Sequence, residues 1–238
     1  MKFHLGVTDI NWYTNLSKIN PEDVNFWQPG GKTNFRALSP GEPFLFKLRS
    51  PLNVIGGVGF FVKHIFLPLS LAWDTFEDRN GFATFSQFRR TIMELRSDKD
   101  NPNPQMGCIV LTNPIFFKSK DWIPVPENWK SSIVQGKGYS TNESVGRAYW
   151  ERVQILLEEY LKNNPSDDLS RIEGYTSDLP QYGNSVLTKV RIGQGAFKVF
   201  LIDAYNRKCS ISGERTMPVL EAAHIKSYSE AKTQLIMF

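Results

Sequence analysis

Residues 186–226 carry most of the groups that could bind and hydrolyse a phosphate ester. This segment has seven basic and three acidic residues, a surplus as large as the net charge of +4 of the whole chain. Such a cluster either contacts phosphates or forms a solvated basic face, and both interpretations stay open. The candidate DNA-binding side chains of this segment are Arg191, Gln194, Lys198, Arg207 and Lys208.

His224 has the chemistry of a general base. An imidazole titrates near neutrality, and phosphodiester hydrolysis needs such a base together with a cation that offsets charge on the phosphoryl oxygens. The pattern predicts a strand over residues 209–212, a turn over 212–215 and a second strand over 219–225 that carries His224 near its end. A lone histidine at the end of a strand is more often structural, so its surroundings decide its role.

Those surroundings resemble the HNH endonucleases of the type without a structural zinc. The similarity spans residues 191–226, and it is carried by Arg191-x-Gly193-Gln194, Phe197-Lys198, Tyr205-x-x-x-Cys209-x-x-x-Gly213 and Leu220-Glu221-Ala222-Ala223-His224-Ile225. The resemblance implies a β-hairpin and a helix around one divalent cation, Mg²⁺ or Mn²⁺. It also implies that His224 activates the attacking water.

The sequence after His224 departs from the family pattern. The family continues with an Asn and a metal-binding His, whereas residues 225–238 contain no Asn, Asp or His. Ala223 stands where many relatives carry Asp, and strand alternation points Glu221 away from the face of His224. Glu221 and His224 are the candidate metal ligands that remain in the segment, so the cation has at most one or two ligands there. We expect a frameshift or premature stop in the gene, and impaired or absent cleavage by this chain.

The first 150 residues resemble a second family, the EVE-type members of the PUA-like superfamily. The similarity lies in residues 26–32, 35–38 and 41–47. It implies a domain that reads a modified base, commonly a methylated cytosine, flipped out of double-stranded DNA, as in modification-dependent restriction endonucleases.

A flipped base needs stacking surfaces and a few polar groups for its edge. The candidate walls of a base pocket are Trp27, Phe35, Phe60 and Trp73, with Phe61, Trp122 and Trp129 as further candidates. Each of these rings is also a candidate for ordinary core packing. The candidate phosphate contacts are Lys32, Arg36, Lys47 and Arg49.

Hydrophobic periodicity predicts the elements that hold these residues. Alternation predicts a strand over residues 42–49 with one apolar face, and further strands are expected over 53–62, 107–112 and 132–135. The glycines of 53–62 indicate a bulge, a bend or close approach of a ligand. Helices are expected over 69–79, over 85–95 with Thr84 or Ser86 as the cap, and over 146–161.

We therefore expect an α+β chain with two domains. A PUA/EVE-like mixed β-barrel with flanking helices spans residues 1–162, a linker spans 163–185, and a truncated ββα-metal (HNH) domain spans 186–238. The two cysteines form no Cys-x-x-Cys pair, which excludes a zinc ribbon and fits a reducing cytoplasm. Neither a secretion signal nor a membrane span is expected.

The expected partner is modified double-stranded DNA. A homodimer is a further expectation, since one active site cuts one strand. The alternative function is that of a non-catalytic protein that recognises modified DNA or RNA.

Overall fold

The computed structural model describes residues 1–163, 194–205, 208–209 and 211–215. The described strands are β1 (Lys2–Thr8), β2 (Asp23–Gln28), β3 (Pro43–Leu48), β4 (Val54–Pro68), β5 (Gln105–Phe116), β6 (Ile123–Pro124) and β7 (Gly136–Ser140). The described α-helices are α1 (Ile10–Ile19), α2 (Leu69–Phe76), α3 (Phe85–Glu94), α4 (Ser144–Asn163) and α5 (Gln194–Ala204). Short 3₁₀ turns lie at Glu77–Asn80 and Ser119–Asp121.

The described strands form a mixed, open seven-stranded sheet. Its order is β2-β5-β4-β3-β1-β7, and β6 pairs with the start of β4. β1 runs parallel to β3, whereas the other pairs are antiparallel. The fold is therefore α+β, which confirms the predicted class at that level.

The sheet is strongly curled. β2 and β3 are separated by β5 and β4, which in a flat sheet would place them about 14 Å apart. The ring centroids of Phe26 on β2 and Phe44 on β3 are nevertheless 4.6 Å apart. The face that carries them is therefore concave, and α1 packs into it with the buried side chains of Trp12, Tyr13 and Leu16.

Helices cover the convex side in two places. α2, α3 and α5 pack on β4 and β5, where Phe76 and Phe88 are fully buried with Val110. α4 packs elsewhere on the sheet, with Tyr149 and Val153 in a cluster with Phe3, Leu5 and other buried residues. Burial on both faces explains why every residue of β3 is buried. The prediction that this strand has a single apolar face was therefore wrong.

β4 contains the irregularities that its glycines indicate. Its register with β5 shifts between Val58 and Phe60 and again between Phe61 and Lys63. A β-carbon on Gly57 would lie 2.9 Å from Cδ2 of Phe46. Close packing thus accounts for Gly57, and the first bulge contains Gly59. A bulge and a close approach are two of the uses of glycine that the sequence left open.

The predicted helices are confirmed with small shifts at their ends. Thr84 caps α3, and its side chain accepts a hydrogen bond from the backbone N–H of Gln87. The helix expected over residues 69–79 is α2 followed by a 3₁₀ turn, and Gly81 ends it with a φ of 85°. β1, α1 and β2 were not predicted, although Asp9 gives α1 an N-cap signal.

Two predicted strands are wrong. Residues 132–135 lie in a turn and bends before β7. Of residues 209–212, Ile211 and Ser212 form a turn, in which the N–H of Gly213 donates to the carbonyl of Cys209 at 3.0 Å. The turn predicted over 212–215 thus starts within the expected strand.

α5 lies inside the segment assigned to the second domain, yet it packs against the first. Ala196, Val199 and Ile202 are buried in the cluster formed by α2, α3, β4 and β5. The predicted linker over 163–185 falls almost wholly outside the described residues, as do residues 216–238 of the HNH segment. The packing of the first domain therefore extends at least to Ile202.

Candidate functional site

The candidate site is one end of the concave face, which we call the rim and define by His4, Gln28, Phe35, His64 and Gly107. Register places its strand residues together. Gln28 on β2 is opposite Gly107 on β5, and His64 on β4 is opposite Ile109, two residues further along. Since alternate residues of a strand share a face, Gln28 follows the concave-face residue Phe26.

Gly107 leaves space for two polar side chains. A β-carbon at this position would lie 2.8 Å from Nε2 of His64 and 3.0 Å from Oε1 of Gln28. Both polar atoms therefore lie over the backbone of Gly107. Any larger residue would displace one of them, so the glycine is a requirement of this end of the sheet.

Three buried polar atoms of the rim lack a hydrogen-bond partner among the described residues. They are Nδ1 of His4, Oε1 of Gln28 and Nε2 of His64. Leaving such an atom unsatisfied costs about 1–3 kcal/mol, and such groups often mark a place where a ligand completes the bonding.

Burial favours the neutral form of both histidines of the rim. Burial lowers the pKa of His4 to about 4, and burial also lowers the pKa of His64. A neutral imidazole has one donor and one acceptor nitrogen. Together with the Gln28 carbonyl, the rim offers uncharged groups that suit the edge of a planar polar ligand.

Phe35 supplies the aromatic surface of the rim. Its ring is partly buried and makes an edge contact with His4 at a centroid distance of 5.0 Å. It also lies 5.3 Å from Phe61 and 5.9 Å from Phe44. A half-buried aromatic ring beside an unsatisfied polar atom can serve as a stacking surface for a flipped base.

Phe35 belongs to the loop over residues 29–42, which also carries the exposed cations Lys32 and Arg36. The loop is anchored at both ends. The N–H of Gly41 donates to the carbonyl of Phe61 at 2.7 Å, and Nη1 of Arg96 donates to the carbonyl of Pro29. Both cations are exposed, and their contact with phosphates stays a prediction.

The structure does not bring the four predicted wall residues together. Trp27 and Trp73 lie on the convex side, where both rings contact Phe88, and Nε1 of Trp27 donates to the carbonyl of Asn80 at 3.0 Å. Phe60 is 6% exposed in the cluster beneath α4. Of the four, only Phe35 belongs to the rim.

The surroundings of Trp73 argue against a phosphate-bearing ligand. Trp73 lines a surface depression together with Asp74, Glu77, Asp78 and Ala83. Three carboxylates there would repel a nucleic-acid backbone, since like charges at close range raise the free energy of binding.

Lys47 was expected to face phosphates, and that expectation was wrong. Its residue is 4% exposed, its Nζ donates to Oδ1 of Asn53 at 2.8 Å, and the amine lies over the Trp129 ring. Burial and the nearby Arg49 lower its pKa. Arg49 itself is exposed.

The described residues of the HNH segment include only part of its predicted site. Nζ of Lys198 donates to the carbonyl of Asp74 at 3.3 Å, and Lys208 is exposed. Gln194 begins α5, but its side chain is not described. Arg191, Arg207, Glu221 and His224 lie outside the described residues.

The turn after α5 holds Cys209 by several hydrogen bonds. The N–H of Cys209 donates to the carbonyl of Glu214 at 2.8 Å, and the N–H of Ser212 donates to Sγ at 3.4 Å. Hydrogen bonds from the Ser212 side chain and from backbone N–H groups lower the pKa of this thiol.

Of the rim residues, His4, Gln28, His64 and Gly107 were not predicted as site residues. Among the described residues there is no cluster of three or more His, Cys, Asp or Glu side chains that could hold a metal ion.

None of the described helices has the length and apolar character needed to cross a membrane.

No family model and no curated protein matches the chain. Solved structures similar to it include the ASCH protein of Zymomonas mobilis (10% identity, TM-score 0.41, covering 66% of this chain and 94% of that one). A point mutant of the same protein matches with 10% identity and a TM-score of 0.41, covering 66% of this chain and 98% of that one.

Proposed function

We propose that the first domain recognises a modified base, commonly a methylated cytosine, flipped out of double-stranded DNA into the rim. The observation that supports this proposal is the pair of unsatisfied atoms, Oε1 of Gln28 and Nε2 of His64, at the aromatic end of the concave face. Cytosine presents an amine donor and two acceptors on its pairing edge. A glutamine carbonyl and neutral imidazoles complement these groups, and Phe35 offers a stacking surface.

We propose further that the segment from residue 186 is an HNH-type nuclease. His224 would act as the general base beside a divalent cation (Mg²⁺ or Mn²⁺), for which Glu221 is the remaining candidate ligand, and basic side chains would bind phosphates. The support is the run of motif residues from Arg191 to Ile225. In this proposal the chain is a modification-dependent restriction endonuclease of the PUA/EVE-like and HNH type.

A binding experiment tests the proposal that the rim recognises a modified base. The affinity for duplexes with and without 5-methylcytosine is measured for the chain and for Gln28→Leu and His64→Leu. Each variant removes one polar group that binds the edge of the flipped base, so the affinity for the modified duplex should fall by about tenfold. Lys120→Ala is the matched control, because Lys120 is exposed and follows the opposite end of β5. Equal affinity of all four proteins for both duplexes would refute recognition at the rim.

A cleavage assay tests the proposal that the segment from residue 186 is a nuclease. The same duplexes are incubated with Mg²⁺ or Mn²⁺, with and without a chelator, for the chain and for His224→Ala. Metal-dependent cutting that disappears in the variant supports the nuclease. Tight, modification-dependent binding without cutting supports the alternative, a non-catalytic protein that recognises modified DNA. If RNA competed more strongly than DNA, the non-catalytic protein of this alternative would recognise RNA.

A further inference from the structure

We infer that α5 anchors the HNH segment on the convex side of the first domain, through its contacts with Asp23 and Phe76. This inference rests on the proposed function in one respect only, namely that the segment after α5 belongs to a nuclease. The docking itself is carried by contacts among described residues.

Asp23 joins the helix to the edge strand β2. Its residue is fully buried, and Oδ2 accepts a hydrogen bond of 2.8 Å from the backbone N–H of Ala196. Oδ1 accepts from Nη1 of Arg79 at 2.5 Å. The carboxylate is thus satisfied on both oxygens only while α5 is in place, and its charge complements the positive end of the helix dipole.

Arg79 is itself held in position. It donates to the carbonyl of Phe76 at 3.1 Å and to the carbonyl of Thr75 at 2.9 Å, both in α2. The guanidinium therefore sits at a fixed place beside Asp23. Undocking of α5 would remove one of the two described partners of the Asp23 carboxylate.

Apolar contacts follow the same face of α5. Ala196, Val199 and Ile202, at intervals of three residues, are buried against the first domain. Phe200 lies beneath Nζ of Lys63 at 5.8 Å from the ring centroid. A β-carbon on Gly195 would lie 2.7 Å from the ring atoms Cδ1 and Cε1 of Phe76. The helix therefore approaches α2 so closely that only glycine fits at position 195.

Asp23 and Gln28 lie on one strand, β2. Asp23 holds α5 on the convex side, whereas Gln28 reaches the rim. α5 and the proposed base-recognition site are thus built on the same edge strand, so we expect the place where the nuclease segment starts to be fixed relative to the recognised base. Asp23 acts in this arrangement as a positioning residue.

The test separates docking from helix formation with two variants of the full chain. Gly195→Ala puts a better helix former in α5 but adds a methyl group against Phe76. Ala204→Gly weakens the helix at an exposed position and leaves the docked face unchanged. The measurement is amide hydrogen exchange over residues 194–205, without DNA.

Gly195→Ala should speed exchange at residues 196–202 by about tenfold or more, whereas Ala204→Gly should leave residues 196–199 protected. Asp23→Asn should speed exchange in the same region by a smaller factor, because the amide can still accept from Ala196. Unchanged protection in Gly195→Ala, or faster exchange at 196–199 in Ala204→Gly, would overturn the inference, since α5 would then be stabilised as a helix and not by docking.

DNA binding is the second readout. Gly195→Ala should bind modified duplex within about twofold of the parent, because α5 lies away from the rim. A parent chain that binds no DNA contradicts the proposed function but leaves the exchange result intact. If the parent cuts DNA, Gly195→Ala should spread the cut positions over more sites, and an unchanged pattern would contradict the positioning role.

Discussion

The indole of Trp12 lies directly against Gly81, at the point where the 3₁₀ turn after α2 ends. A β-carbon on Gly81 would be 2.9 Å from Cγ of Trp12, and the φ of 85° disfavours other residues there. Trp12 is 2% exposed and has no room to move. We expect Gly81→Ala to lower the free energy of unfolding by about 2–4 kcal/mol, measured by urea denaturation.

Gly138→Ala is the matched control for this prediction. It is a strand glycine around which nothing lies within 4 Å of the added carbon. Its free energy of unfolding should stay within about 0.5 kcal/mol of the parent. Equal stability of the two variants would show that the contact between Trp12 and residue 81 is looser than described.

The two thiols should react at very different rates. Cys108 is fully buried, and burial raises its pKa to about 12, whereas hydrogen bonds lower the pKa of the partly exposed Cys209. Because the thiolate is the reactive form, a thiol reagent at pH 7.5 should modify Cys209 in the native protein and Cys108 only after unfolding.

The control for the thiol prediction is Cys209→Ser. This variant should show no rapid reaction in the native state and one reaction in urea. Rapid labelling of Cys108 in the native variant would mean that the sheet around β5 opens readily, against the packing described.

Helices and strands could be predicted where the apolar spacing and the capping residue lie within one short stretch of sequence. α3 combines the apolar spacing of Phe88 and Ile92 with Thr84 as a cap, and all three features are as the sequence indicates. The burial of Lys47 could not be predicted in this way, because it depends on Trp129 and on the curl of the sheet.

The candidate site depends on relationships that no local pattern contains. Gln28, His64 and Gly107 are far apart in sequence, and only the pairing of β2 and β4 with β5 brings them together. Phe35 could be predicted as a candidate because it lies in a stretch that carries a family resemblance. Trp27 and Trp73 were predicted as wall residues as well, since ring type alone does not tell which face of a sheet a side chain occupies.

His4 should make the protein less stable in mild acid. Its pKa is about 4 in the folded protein and about 6.5 in an unfolded chain, so the unfolded state binds more protons between these values. The stability contributed by the neutral ring is therefore complete above pH 6.5 and is lost as the pH falls towards 4. In His4→Gln, the loss of unfolding free energy between pH 7 and pH 4.5 should be smaller by about 2 kcal/mol.

The comparison of pH 7.5 with pH 8.5 serves as the internal control, because His4 is almost wholly neutral in both states there. The difference in stability between the parent and His4→Gln should be constant over that range. The same acid-induced loss in both proteins would place the pKa of His4 near its ordinary value and its ring in contact with water.

Lys32 and Arg36 should contribute to DNA affinity through phosphates alone. Removal of one phosphate-binding cation should reduce the slope of log affinity against log salt concentration by about 0.9, whatever the base modification. Lys32→Ala and Arg36→Ala should therefore flatten the salt dependence, while the ratio of affinities for modified and unmodified duplexes stays constant. Lys120→Ala, which removes an exposed cation beyond the far end of β5, should leave the slope unchanged. If either loop variant altered the modification ratio while keeping the slope, its side chain would contact the base instead, and the loop over residues 29–42 would be part of the specificity site.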